Sequence, residues 1–131
     1  MKKDIEIPEV KDVYVAAVRE KHAEYQTMDW NAYIINDSDT PLEMVLLVTR
    51  GYDDLDTTST MRHSIKVLPA KSFAKIEFLQ EDVLKLNNEF AVTFFADNKM
   101  YEKTYVFEKN TISEADVKGL PVMTQKGILA R

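Results

Sequence analysis

Two histidines, His22 and His63, are the side chains of this sequence that ordinarily change charge near neutral pH, and there is no cysteine. Without a thiol, disulfides, thiol catalysis and thiolate zinc sites are excluded together. His22 sits among Lys21 and Glu24 in a polar stretch, the setting of a solvated surface imidazole. His63 stands in an alternating apolar segment, where neighbours could perturb it into an acid–base group and where a backbone partner would make it a structural one. The densest carboxylates are Asp53, Asp54 and Asp56, beside Thr57 and Thr58, hard oxygen donors of the kind that hold calcium. They are the candidate metal ligands. Their spacing departs from the helix-loop calcium motif, because no glycine follows and no bidentate glutamate stands at the right distance, so no metal is assigned.

Serine nucleophiles lack the G-x-S-x-G elbow, and the three glycines, at 51, 119 and 127, stand too far apart to cradle a phosphate. No catalytic residue and no cofactor follow from the sequence. The remaining candidate chemistry is aromatic. With Asp97-Asn98 as a tight turn, Phe94 faces Tyr101 and Phe90 faces Tyr105, which puts Lys103 amid aromatic rings. Such a face can stack bases, but a single lysine is no basic track. Ordinary core with Lys103 snorkelling at its rim is the preferred reading. Tyr101, Lys103 and Tyr105, with His63, are the candidate binding surface.

Strands must position these groups. Residues 29–51 read as a hairpin: Trp30, Ala32 and Ile34 line one face of its first strand, and Leu42, Met44, Leu46 and Val48 one face of the second, around a polar turn at 36–41. Tyr33, Ile35, Val45 and Leu47 leave the opposite faces half apolar, as in strands covered on both sides. Residues 11–20 fit a helical stripe and a strand alternation alike; the run Val13-Tyr14-Val15 favours the strand. Met61 to Leu68 alternates, and Ser72 to Leu79 places Ala74, Ile76 and Phe78 inward with Lys75 and Glu77 outward. Gln80 to Asn88 suits one helical turn between strands. Residues 89–96 and 100–108 form the aromatic hairpin, Glu114 to Lys118 a short helix capped by Thr111 or Ser113, and Ile128 to Arg131 a last strand. Antiparallel succession gathers the turns at 51–57 and 79–89 at one pole, with Asp53, Asp54, Asp56, Glu81 and Asp82. The turns at 36–41, 69–71 and 97–99 fall at the other. The uncharged edge Val13 to Val18 is expected to be covered by the C-terminal segment.

The chain has 131 residues, 45% of them hydrophobic, and a net charge of −5. That is enough apolar material for one core, and residues 1–131 read as a single domain with no repeat or composition shift. Residues 1–11 read as a loose lead-in or short edge. An acidic balance without a basic run excludes general nucleic-acid binding. The N-terminus is too charged for a signal peptide and no long apolar span occurs, so the expectation is a cytoplasmic protein away from the membrane. About seven short strands predict an all-β, immunoglobulin-like antiparallel β-sandwich with a short C-terminal helix; a barrel is the alternative.

Taken whole, the chain resembles a group of short bacterial proteins that share four stretches, here Trp30–Asn36, Thr58–His63, Val92–Met100 and Lys126–Arg131. Members often carry the label phenylalanyl-tRNA synthetase alpha subunit. The label implies an ATP-dependent class II ligase, whose glycine-rich motif the three isolated glycines cannot supply, so no synthetase residue is carried over. The expected function is a non-catalytic module that binds another protein or itself as a weak homodimer. The alternative is a phenylalanyl-tRNA synthetase-related accessory, or an enzyme using His63 and the acidic loop.

Overall fold

The computed structural model describes residues 8–131, so most of the expected lead-in at 1–11 lies outside the described residues. The strands are β1 (Val13–Lys21), β2 (Met28–Asn36), β3 (Leu42–Tyr52), β4 (Met61–Leu68), β5 (Ser72–Leu79), β6 (Asn87–Ala96), β7 (Lys99–Phe107), β8 (Lys118–Gly119) and β9 (Lys126–Leu129). They build two antiparallel sheets, one in the order β5-β2-β1-β9-β8 and one in the order β4-β3-β6-β7. The ambiguous segment at 11–20 is a strand, as its β-branched content favoured. No α-helix occurs among the described residues. The expected C-terminal helix is a three-residue 3-10 turn, Glu114–Asp116, whose Ala115 amide donates to Ser113 Oγ; Val117 is already extended and Lys118 enters β8. A second 3-10 turn, Glu81–Lys85, bridges β5 and β6. Among the described residues, no helix is long and apolar enough to cross a membrane.

The hairpin expected at 29–51 does not form. β2 and β3 lie in different sheets, and residues 37–41 carry the chain across the sandwich. Asn36, fully buried, holds that crossing in place. Its amide nitrogen donates to the carbonyls of Thr40, Leu68 and Pro69, and its oxygen accepts from the Ser38 amide and hydroxyl. One side chain thereby ties the β2–β3 crossing to the β4–β5 crossing at the same pole. Alternation cannot report this, because a strand reads the same whichever sheet it joins.

The core contains Trp30, Ala32 and Ile34 as expected, together with Phe90, Val92, Phe94 and Tyr105. Two irregularities invert the expected faces elsewhere. Met44 adopts a positive φ of 49°, and the β3–β6 register slips between Glu43 and Leu46. Beyond that bulge Val45, Leu47 and Thr49 point inward, leaving Met44 and Leu46 exposed. On β5 the register with β2 slips at Ile76, opposite Ala32 and Tyr33, so Glu77 turns toward the core side and Phe78 outward, the reverse of the simple alternation.

The outer face of the five-stranded sheet is covered as well. Ala16, Val18, Tyr33 and Ile35 are buried there beneath Leu120, Val122 and Met123 of the tail, which explains why β2 is apolar on both faces. The β6–β7 hairpin has the expected register. Asp97 and Asn98 both take positive φ, and Phe94 stacks on Tyr101 with ring centroids 5.1 Å apart.

Candidate functional site

A two-sheet sandwich has two lateral seams, and here they differ. Along one, β9 pairs with β1, matching Ala16 with Leu129 and Ala17 with Ile128. The Ala130 amide donates to the Val15 carbonyl at 2.9 Å, and Arg131 exchanges both backbone bonds with Val106 of β7, at 2.8 and 3.0 Å. The last residues thus pair with both sheets. The Tyr105 hydroxyl adds a buried bond of 2.6 Å to the Val13 carbonyl across the same seam, and burial holds its pKa above the usual phenol value. The uncharged edge of β1 is covered by the chain's own tail.

The other seam lies between β4 and β5, each paired to a single neighbour. Side chains alone bridge it. His63 Nε2 lies 2.8 Å from Glu77 Oε1, and Thr49 Oγ1 of β3 donates to the same oxygen at 2.7 Å. The β5 bulge makes this possible by turning Glu77 inward, where its side chain is only 16% exposed. Beside the bridge opens a cleft of about 560 Å³ lined by Thr49, Gly51, Thr58, Met61, Glu77, Phe78, Val83 and Phe90 among others. Met61 and Phe78 stand half-exposed at its rim. The turns that the sequence placed at one pole, 51–57 and 79–89, lead into this cleft through Gly51, Thr58, Gln80 and Val83.

Chemically the bridge is a carboxylate receiving two donors. The Thr49 hydroxyl donates to Glu77 and not to the imidazole, and His63 is absent from the cleft lining, so Thr49 and His63 do not form a hydroxyl–imidazole pair. The sequence singled out His63 but not Glu77 or Thr49. Fourteen residues separate His63 from Glu77, and no local pattern pairs them.

The other candidate residues lie apart. Tyr105 is buried and Tyr101 half-buried against Phe94, so these two are core and not surface; exposed Lys103 sits over the Tyr105 ring with its nitrogen 4.9 Å from the centroid. They occupy β7, the opposite edge of the four-stranded sheet from His63 on β4. Asp53 spends its carboxylate on the backbone amides of Leu55 and Asp56, which lower its pKa, and no group of acids or histidines suited to a metal ion occurs among the described residues. Asp53, Asp54 and Asp56 therefore belong to a turn. His22 Nδ1 accepts the amides of Glu24 and Tyr25 in the β1–β2 turn. Nearby, Glu20 gathers Asn31 at 2.8 Å, the Tyr33 hydroxyl at 2.6 Å and Lys75 at 3.4 Å; burial and this carboxylate push the Tyr33 pKa upward.

Compared with family models, with curated proteins and with solved structures, the chain matches none.

Proposed function

We propose that the protein is a non-catalytic β-sandwich binding module that receives an extended segment of another protein, or of a second copy, at the β4–β5 seam. The observation that carries this reading is the asymmetry of the seams: backbone pairing seals one, whereas the other leaves two edge strands beside an apolar-walled cleft. Unpaired edge donors and acceptors are what an added strand satisfies, and pockets beside the edge select its side chains. We further propose an immunoglobulin-like sandwich. In support, β1, β2 and β5 share one sheet and β4, β3, β6 and β7 the other, with the chain crossing between sheets at β2–β3, β4–β5 and β5–β6.

The test selects a library of extended, β-branched peptides against the immobilised protein and maps an enriched peptide by amide chemical shifts and hydrogen exchange. The expected result is new protection in Met61–Leu68 or Ser72–Leu79, with binding weakened by Phe78→Lys. Protection confined to another face would overturn the reading. So would the absence of enrichment from a protein that also stays monomeric at high concentration. The enzyme alternative draws on the 2.8 Å contact of His63 with Glu77, and the synthetase alternative on the resemblance alone. ATP–pyrophosphate exchange with phenylalanine is expected to be absent, and its detection would favour the synthetase.

A further inference from the structure

The cleft beside the open seam has a floor that is only half used. Glu77 Oε1 accepts from both His63 and Thr49, whereas Oε2 accepts no hydrogen bond from the described residues. No buried side-chain oxygen among the described residues lacks a partner, so Oε2 is not sealed away, and Glu77 is one of the residues that line the cleft. Met61, Phe78, Val83 and Phe90 make the walls. A carboxylate at the base of an apolar-walled cleft is matched by a long aliphatic stem that ends in a positive charge.

We infer that the segment received at the seam presents a lysine, whose stem lies along Met61 and Phe78 and whose ammonium donates to Glu77 Oε2. This rests on the strand-binding reading of the seam and names the side chain that the seam selects. Three observations favour it. With Oε1 already holding two donors, the bidentate geometry of a guanidinium is blocked, and a compact point charge suits the single free oxygen. Arg50, the one cation of the lining among the described residues, is committed elsewhere: it bonds Glu89 at 3.1 and 3.3 Å and stacks over Tyr52 at 4.5 Å. The loops that lead into the cleft carry Asp53, Asp54 and Asp56 on one side and Glu81 and Asp82 on the other, opposed by Lys85 and by Lys109 near Asp53. That excess of negative charge steers a cationic segment toward the mouth.

The experiment compares two capped seven-residue peptides, Val-Thr-Val-Lys-Val-Thr-Val and the same chain with norleucine in place of lysine, by calorimetry against the full chain. Both keep the backbone and the stem; only the ammonium differs. The lysine peptide should bind about tenfold more tightly, the scale of a charge-assisted hydrogen bond. Glu77→Gln keeps an oxygen for His63 and Thr49, and should bring the ratio close to one. Equal binding of the two peptides to the unaltered protein overturns the lysine inference and leaves the strand-binding reading standing. If neither peptide binds, the seam reading itself falls. A lysine preference that survives in a folded Glu77→Gln variant overturns Glu77 as the receptor. The comparison on unaltered protein decides the first two outcomes even should the variant fail to fold.

Discussion

The two seams enclose the same core but are held by different kinds of bond. At the β1–β7 seam, backbone pairs with backbone through residues 126–131, and the Tyr105 hydroxyl reinforces the join. At the β4–β5 seam, side chains reach across instead: His63, Glu77 and Thr49 along its length and Asn36, which bonds the Leu68 carbonyl, at one end. Backbone bonds are obligatory and insensitive to side-chain identity, so a seam made from them is structural. A seam latched by side chains keeps its edge amides and carbonyls available. On the proposed reading, another chain is accepted at the edge that the tail does not occupy.

Removal of the tail is expected to have the largest effect. Deleting residues 120–131 strips β9 from β1 and uncovers Ala16, Val18, Tyr33 and Ile35. The expected result is association or aggregation, with a large part of the ~5–15 kcal/mol that typically holds a domain lost. Light scattering and urea unfolding measure it; a truncated chain that stays monomeric and equally stable would show that the first seam is no more closed than the second.

Trp30→Ala comes next. Trp30 packs in the shared core and pairs with Leu79 at the β5 side, and large-to-small aromatic deletions cost about 3–5 kcal/mol. A denaturation midpoint that barely moved would detach the core from the open seam.

Gly127→Ala probes the closed seam alone. A Cβ there would lie 2.5 Å from the Ala17 carbonyl oxygen and 2.9 Å from Leu120 Cδ1, so β9 would have to shift away from β1. Overpacking of this kind costs roughly 1–3 kcal/mol. Hydrogen exchange should speed up at Ala130 and Arg131 while β4 and β5 are unchanged.

The smallest effect is expected at the open seam. Phe78→Lys alters a half-exposed side chain, and a shift in unfolding free energy within about 0.5 kcal/mol is expected. A large loss would mean that the seam is built for stability and not for a partner.

Much of the fold was legible in the chain because it is local. Asp97-Asn98 can take the two positive φ values of a tight turn, and that turn sets the register that stacks Phe94 on Tyr101. The uncharged run from Val13 to Val18 signalled an edge that needed a cover, and the apolar residues on both faces of β2 signalled layers on each side. Ser113 could be read as a cap, although the turn it caps is too short to be a helix.

What the amino-acid order determined by itself, then, is where strands run and which turns join near neighbours, since dihedral preference and a period of two act over a few residues. Tertiary structure alone decided that β2 and β3 part into different sheets, that Asn36 ties the two crossings together, and that bulges at Met44 and Ile76 reverse the faces of β3 and β5. A one-residue slip inverts every side chain beyond it, and whether it occurs depends on how two distant strands must curve to share a core. The meeting of His63, Glu77 and Thr49 follows from that slip, which is why the seam could be found only in the folded chain.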